Sequence, residues 1–136
     1  MDQSPSKPWY RRWFGDRSER AAAKHLKSLG YQIVARNFRC KIGELDLVAV
    51  DRQTVVFVEV RSTEGDTTEK PALSVDFAKQ KRLTQLALYF LQRRKLLNQS
   101  ARFDVICIAW PAAQKTPIVE HFKNAFEAVG RFQMYS

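Results

Sequence analysis

Hydrophobic residues recur with a helical period in two stretches of the chain. The first stretch follows Asp16, a favourable N-cap residue, and ends before Gly30, the residue type that most often follows a helix. The second and longer stretch follows Asp76, another N-cap residue. Its apolar positions are Phe77, Leu83, Leu86, Ala87, Phe90 and Leu91. The pattern predicts two helices, each burying one face.

Elsewhere the pattern is typical of β-strands. Three short segments rich in β-branched residues lie between the predicted helices: 31–39, 44–50 and 54–61. The nearly continuous apolar run 103–110 predicts a strand covered on both faces, and 118–122 can form one more strand. A terminal helix is predicted over 124–131. This order of elements predicts the α/β class, with a small mixed sheet flanked by helices.

The chain is long enough for one hydrophobic core, which predicts a single domain over 16–136 preceded by an N-terminal arm over 1–15. No run of about 18 apolar residues is present, so no membrane span is expected and the predicted location is cytoplasmic. The two cysteines and the two histidines are far apart in the sequence and lack the spacing of a zinc site.

Charge changes sign along the chain. Residues 1–43 hold 10 basic and 3 acidic side chains, residues 44–76 hold 3 and 8, and residues 77–102 hold 7 and 0. The net charge of +9 favours a polyanionic partner, with nucleic acid first and an anionic membrane surface second. An acidic segment between two basic ones suits a carboxylate site that holds a metal between elements that bind phosphate.

Two acids on the predicted strands are expected to face each other. A tight turn centred on residues 52–53 would place Asp46 directly opposite Glu59, with Cβ atoms about 4.5–5.5 Å apart. The same register places Glu44 opposite Arg61. Opposed carboxylates repel unless a cation or a shared proton compensates, and Mg²⁺ or Mn²⁺ with such ligands suits phosphodiester hydrolysis. The alternative is a solvent-facing strand pair in which Glu44 and Arg61 form an ordinary ion pair.

Four ordered sequence blocks carry a resemblance to a known family. They are GELDLVAVD, VVFVEVR, AKQKRL with the later ALYFL, and RFDVICIAW. Together they resemble the YraN family of bacterial endonuclease-like proteins over about residues 18–126. That family is similar to Holliday junction resolvases and to the wider PD-(D/E)XK nucleases. The resemblance implies a restriction-endonuclease-like fold.

The resemblance also implies site residues. Its pattern has an acid on the first helix, an aspartate on the second strand and Glu-x-Lys on the third strand. By position these are Glu19, Asp46, and Glu59 with Arg61, the implied catalytic set. The expected ligands for Mg²⁺ or Mn²⁺ are Asp46 and Glu59, with Glu44 or Glu19 completing the metal shell. The expected activity is hydrolysis of branched or otherwise structured DNA, and junction substrates imply a homodimer.

Arg61 departs from this pattern, because arginine stands where the pattern has lysine. Lysine can lose its proton in a suitable site, whereas arginine stays protonated. Lys79 or Lys81 on the second helix could supply an amine instead. Arg61 therefore keeps open a nucleic-acid-binding module that has the nuclease fold without turnover. A third possibility is a partner-binding protein whose charged segments form an interface.

Several other candidates have ordinary structural explanations. Glu19 could simply stabilise the positive end of the first helix. The candidate nucleic-acid contacts at the start of the second helix could be a solvated face, although no acid occurs between Phe77 and Arg102. These contacts are Lys79, Gln80, Lys81 and Arg82.

Overall fold

The computed structural model describes residues 9–67 and 75–129, with side chains from residue 16 onward. It contains two helices and five strands: α1 (Trp9–Ser28), β1 (Gln32–Cys40), β2 (Gly43–Asp51), β3 (Thr54–Thr63), α2 (Phe77–Arg93), β4 (Ala101–Ala109) and β5 (Ile118–Phe126). The predicted α/β class, with a small mixed sheet and flanking helices, is confirmed. It is the architecture of a small restriction-endonuclease-like fold.

The five strands form one sheet in the order β1-β2-β3-β4-β5. Strands β1, β2 and β3 form an antiparallel meander, β4 lies parallel to β3, and β5 is antiparallel to β4. The parallel pair needs a crossover, and α2 provides it. Strand β4 is buried from Phe103 to Ala109 and is apolar there except for Asp104, because helices cover both faces of the sheet at this position.

Each helix covers one of two buried clusters on opposite faces of the sheet. Ala22 and Leu26 of α1 pack with Val56 and Val58 of β3. On the other face, Leu86 and Phe90 of α2 belong to the cluster that contains Val55 and Phe57. Side chains alternate along a strand, so Glu59 follows Val55 and Phe57 on the face of α2.

The start of the first helix differs from the prediction. Helix α1 begins at Trp9, before the predicted N-cap Asp16, and runs through Gly15. Between Trp9 and Ser28 the chain contains no proline and no β-branched residue, so nothing in this stretch ends the helix. Of the predicted arm, residues 1–8 lie outside the described residues.

Two predictions near the second helix and the C-terminus were wrong. Phe77 was expected on the buried face of α2, but as the first residue of the helix it is 67% exposed. The predicted terminal helix is replaced by a longer β5, in which Phe126 pairs with Phe103 and stacks on its ring with centroids 4.8 Å apart. Residues 130–136 lie outside the described residues.

No helix among the described residues is both long and apolar enough to cross a membrane.

Candidate functional site

The turn between β2 and β3 sets the register that the sequence predicts. Arg52 lies at the turn with a left-handed backbone, φ 59°, and the strand pairs run from Asp51 opposite Thr54 to Leu47 opposite Val58. Asp46 is the residue before Leu47 on β2. Its Oδ2 accepts a hydrogen bond from the Val60 backbone N–H at 2.9 Å. The predicted hairpin register is therefore confirmed from Leu47 to Asp51, and Asp46 lies close to Glu59 just beyond these pairs. The pairs do not extend to Glu44 and Arg61, which form ion pairs with Arg39 and Glu59 respectively.

The carboxyl groups of Asp46 and Glu59 are close enough to interact strongly. Burial raises the pKa of Asp46 well above its ordinary value, and repulsion by the Glu59 carboxylate raises it further. A hydrogen bond from the Val60 N–H acts in the opposite direction, and Glu19 adds a smaller repulsion. Asp46 therefore retains its proton more readily than an isolated carboxyl group would.

Two cations share one oxygen of Glu59. The Arg61 Nη1 and the Lys79 Nζ each lie 3.3 Å from Glu59 Oε2. The Glu59 side chain is only 5% exposed, whereas those of Arg61 and Lys79 are 28% and 32% exposed. Lys79 comes from α2, on the face of the sheet toward which Glu59 points. The negative charge of Glu59 is thus compensated by protein side chains.

Asp46 also belongs to a group of three carboxylates that fits a metal ion. One oxygen from each of Glu19, Glu44 and Asp46 lies within 4.8 Å of the other two, and all three residues are half-buried. It is the one group of three or more potential ligands within the described parts of the chain. Of the predicted ligands, Glu44 and Glu19 both join Asp46, and Glu59 lies beside them with its two cations.

Glu19 reaches this group because the residue before it anchors α1 to the sheet. Ser18 is fully buried, and its hydroxyl donates to Ser62 Oγ at 2.8 Å and accepts from Trp110 Nε1 at 2.9 Å. The Arg17 guanidinium lies over the Trp110 ring, 3.4 Å from its centroid. The sequence pattern did not reveal this anchor, because a single serine in a helix gives no periodic signal.

Glu44 also contacts a cation, which belongs to the edge strand β1. Its Oε2 lies 3.2 Å from Arg39 Nε on the paired strand β1. The adjacent Gly43 packs against α2, where an added Cβ would lie 3.4 Å from Arg82 Cδ and from Leu86 Cδ1. Arg39 therefore contacts the acidic group directly, whereas the stem of Arg82 lies beside Gly43, next to Glu44 in the sequence.

The candidate nucleic-acid contacts on α2 have different surroundings. Lys81 and Arg82 are exposed, as a phosphate contact requires. Gln80 instead donates its side-chain amide to the Val75 carbonyl at 3.1 Å, next to the N-cap Asp76. Of the four predicted residues, Lys79 forms an ion pair with Glu59, and Lys81 and Arg82 stay at the surface. Gln80 instead bonds to the backbone at the start of the helix.

A second charged network was missed by the sequence analysis. Asp104 of β4 is fully buried and bonds to Arg102 Nε at 3.0 Å, to His121 Nε2 at 2.7 Å and to the Asn124 N–H at 2.9 Å. His121 Nδ1 lies 3.1 Å from His25 Nε2 on α1. The histidines, which are far apart in sequence, are therefore in contact. Only the pairing of β4 with β5 and the packing of α1 bring them together.

Known proteins resemble this chain along most of its length. The model of a family described as uncharacterised protein family UPF0102 matches residues 18–108, which include every candidate site residue. A UPF0102 protein of Geotalea uraniireducens is 42% identical over 113 residues, covering 83% of this chain and 88% of that protein. One from Geobacter sulfurreducens is 44% identical with the same coverage. One from Rhodopirellula baltica is 40% identical over 124 residues, covering 89% of this chain and 74% of that protein.

Proposed function

We propose that this chain, which belongs to the UPF0102 family, also called the YraN family, is a metal-dependent nuclease that hydrolyses phosphodiester bonds in DNA. The observation that carries the proposal is the group formed by Glu19, Glu44 and Asp46, whose oxygens lie within 4.8 Å of one another. Glu19 comes from α1, and Glu44 and Asp46 come from β2; the buried Ser18 anchors α1 to the sheet through Ser62 and Trp110. Such a group is unfavourable without a cation and suits one well.

The donor set fits Mg²⁺ or Mn²⁺. Both are hard ions that prefer carboxylate oxygens and retain sites for water and for substrate phosphate. The pKa of Asp46 is raised first by burial and then by repulsion from Glu59, and a divalent cation would favour the ionised form of this carboxylate. A bound ion would lower the pKa of a coordinated water and stabilise negative charge on the phosphate.

Side chains near the acidic group can bind the phosphates of the substrate. Glu59 lies next to Asp46 and is held by Arg61, whose guanidinium stays protonated and is 28% exposed. Arg61 can therefore hydrogen-bond a phosphate while it keeps Glu59 in place. Lys81 and Arg82 are exposed on α2 and can contact neighbouring phosphates of the same strand.

The proposed substrate is branched or otherwise structured DNA, and the proposed assembly is a homodimer. The family resemblance supports both, since cutting a junction requires two active sites that act on two strands. The substrate range is tested by comparing linear duplex, single-stranded and four-way-junction DNA. Sedimentation of the chain with and without a junction tests the dimer.

The proposal is tested by DNA cleavage with Mg²⁺ or Mn²⁺. The variants Asp46→Asn and Glu44→Gln remove charge from the acidic group with little change of shape. The matched control is Glu127→Gln, because Glu127 is exposed and outside the group. We expect cleavage by the wild-type chain and by Glu127→Gln, and a loss of at least about 100-fold in Asp46→Asn. Cleavage that survives Asp46→Asn undiminished would refute the proposal.

A second function is favoured by one observation, the position of Arg61 against Glu59. If turnover needs a side chain that can lose a proton at the position of Arg61, the chain is a nucleic-acid-binding module that retains the nuclease fold. That function predicts DNA binding that weakens steeply with salt, and no cleavage with either metal. Cleavage by the wild-type chain that Asp46→Asn abolishes would exclude it.

A further inference from the structure

The face on which β2 buries its side chains changes at Asp46. Val48 belongs to the buried cluster that α2 covers and Leu47 to the cluster that α1 covers, as expected of alternating side chains. Regular alternation would place Leu45, two residues before Leu47, on the α1 face as well. Leu45 instead belongs to the α2 cluster. The strand therefore turns over between Leu45 and Leu47, at the position of Asp46.

The paired strand β1 changes face at the matching position. Counted from the β1–β2 pairs on either side, Asn37 corresponds to Asp46. Ala35 and Phe38 both pack against the α2 cluster, although residues three apart on a regular strand lie on opposite faces. Between them, Asn37 has a left-handed backbone with φ 51°. A strand alternates its side chains only where its backbone is extended, so the left-handed Asn37 accounts for the reversal.

The reversal decides where the acids of β2 point. With regular alternation, Glu44 and Asp46 would share the α2 face with Val48, away from the helix that carries Glu19. Because Leu45 lies on the α2 face, its neighbour Glu44 is directed to the α1 face. One oxygen of Glu44 accordingly lies within 4.8 Å of one from Glu19 and one from Asp46. The acidic group depends on the reversal.

Asp46 lies at the point of reversal and is directed toward β3. Its Oδ2 accepts a hydrogen bond from the Val60 N–H at 2.9 Å. Burial raises the pKa of Asp46, and repulsion by Glu59 and, to a smaller extent, by Glu19 raises it further. Glu59 lies on the α2 face and Glu19 comes from α1, so carboxylates on both faces of the sheet act on Asp46. The reversed strand brings these groups together.

We propose that Asn37 is a positioning residue for the acidic group, because its left-handed backbone holds β1 and β2 in the arrangement that turns Glu44 toward Glu19. This inference rests on the proposed function, in which the group holds a metal ion. Asparagine adopts the left-handed conformation more readily than most residues other than glycine. The Asn37 side chain is exposed, so its replacement removes no buried contact. A β-branched residue there would favour extended backbone, which directs Glu44 away from Glu19.

A second asparagine provides a matched control. Asn124 of β5 is also exposed and also has a left-handed backbone, with φ 52°. Its N–H donates to Asp104 Oδ1 at 2.9 Å, in the network that does not include the acidic group. The same substitution at Asn37 and at Asn124 therefore imposes the same kind of backbone strain. Only at Asn37 does the strain act on carboxylates of the acidic group.

Four variants of the full chain test the assignment. Asn37→Val and the milder Asn37→Ala disfavour the left-handed backbone, whereas Asn37→Gly accepts it without a side chain. Asn124→Val is the control. Mn²⁺ affinity is measured by isothermal titration calorimetry without DNA, and the free energy of unfolding is measured with urea in a metal chelator.

We expect Asn37→Val to weaken Mn²⁺ binding by at least about tenfold, the usual effect of losing a group that orients a metal ligand. Asn37→Ala should weaken it less, and it provides the test if Asn37→Val does not fold. Asn37→Gly should bind Mn²⁺ within about twofold of the wild-type chain, because glycine keeps the backbone conformation. Asn124→Val should lose stability but keep the wild-type affinity for Mn²⁺.

Separate outcomes would overturn the role of Asn37 and the proposed function. Wild-type Mn²⁺ affinity in both Asn37→Val and Asn37→Ala would remove Asn37 from the site and leave the metal site standing. A loss in Asn37→Gly as large as in Asn37→Val would show that the backbone conformation is not the cause. An equal loss in Asn124→Val would reduce the effect to general destabilisation. Absence of Mn²⁺ binding by the wild-type chain would instead refute the proposed function, and the role of Asn37 with it.

Discussion

Two aspartates on the sheet of this protein have opposite electrostatic surroundings. Asp104 is fully buried, and although burial raises its pKa, bonds from His121, the Asn124 N–H and Arg102 outweigh this and lower it. Burial raises the pKa of Asp46 as well, but here repulsion from Glu59 adds to the effect and one backbone N–H opposes it, so the pKa stays raised. The comparison shows that burial of a carboxylate does not by itself mark a functional site. The balance of donors and like charges around it separates a structural network from a cation site.

The Asp104 network has a structural role that its contacts explain. Arg102 connects Asp104 to Asp51 at the end of β2 and to the Tyr31 hydroxyl before β1. Through His121, the network reaches His25 on α1. It thereby joins both halves of the sheet to the helix that carries Glu19. The donors surrounding Asp104 come from the protein itself, which leaves no need for a bound ion.

The largest expected effect that separates the two regions is a loss of stability in Asp104→Ala. Removing this carboxylate leaves Arg102 with one partner fewer and the buried His121 without an acceptor at Nε2, a change that typically costs about 3–5 kcal/mol. The free energy of unfolding is measured with urea. Asp46→Asn should cost less than about 1 kcal/mol, because it also removes a repulsion. Equal losses in the two variants would contradict the distinction between the regions.

The next effect is stabilisation by a divalent cation. An ion that binds the folded chain at 100 times its dissociation constant stabilises it by about 2.7 kcal/mol. We expect added Mn²⁺ or Mg²⁺ to raise the free energy of unfolding of the wild-type chain and of Asp104→Ala, if that variant folds. Asp46→Asn should respond much less, because it has lost a ligand. A response that Asp46→Asn fully retains would place the ion elsewhere.

The Asp46–Glu59 pair was predictable because short-range rules determine it. Strand alternation and a tight turn at Arg52 and Gln53 set the hairpin register, and both act over fewer than about ten residues. The order of the helices and strands was predictable for the same reason. The fold class followed from periodicity, and the family from blocks of sequence that span the hairpin and β4.

The remaining features depend on tertiary packing. The path of α2 across the sheet brings Lys79 to Glu59, and the pairing of β4 with β5 brings His121 to Asp104. Neither contact leaves a periodic pattern in the sequence. Phe77 was misassigned because helical periodicity does not show which turn of a helix first meets the core.

The smallest expected effect is a difference in the direction of pH dependence. Since the folded state raises the pKa of Asp46, folding takes up a proton between the ordinary value of 3.8 and the raised value. The contribution of Asp46 to stability therefore falls as pH rises through that window. The folded state lowers the pKa of Asp104, so its contribution is lost as pH falls below 3.8.

The pH effect is isolated by comparing each chain with a variant that cannot titrate at the same position. With a metal chelator present, the wild-type chain should lose stability relative to Asp46→Asn as pH rises above 4, by at most about 1.4 kcal/mol per pH unit. Relative to Asp104→Asn, it should instead lose stability as pH falls toward 3. Divalent cation should abolish the first trend, because the ion favours the ionised carboxylates, and it should leave the second unchanged. If stability relative to the variant changed with pH in the same direction in both comparisons, Asp46 would be stabilised in its ionised form as Asp104 is. The argument for a cation at the acidic group would then lose its electrostatic basis.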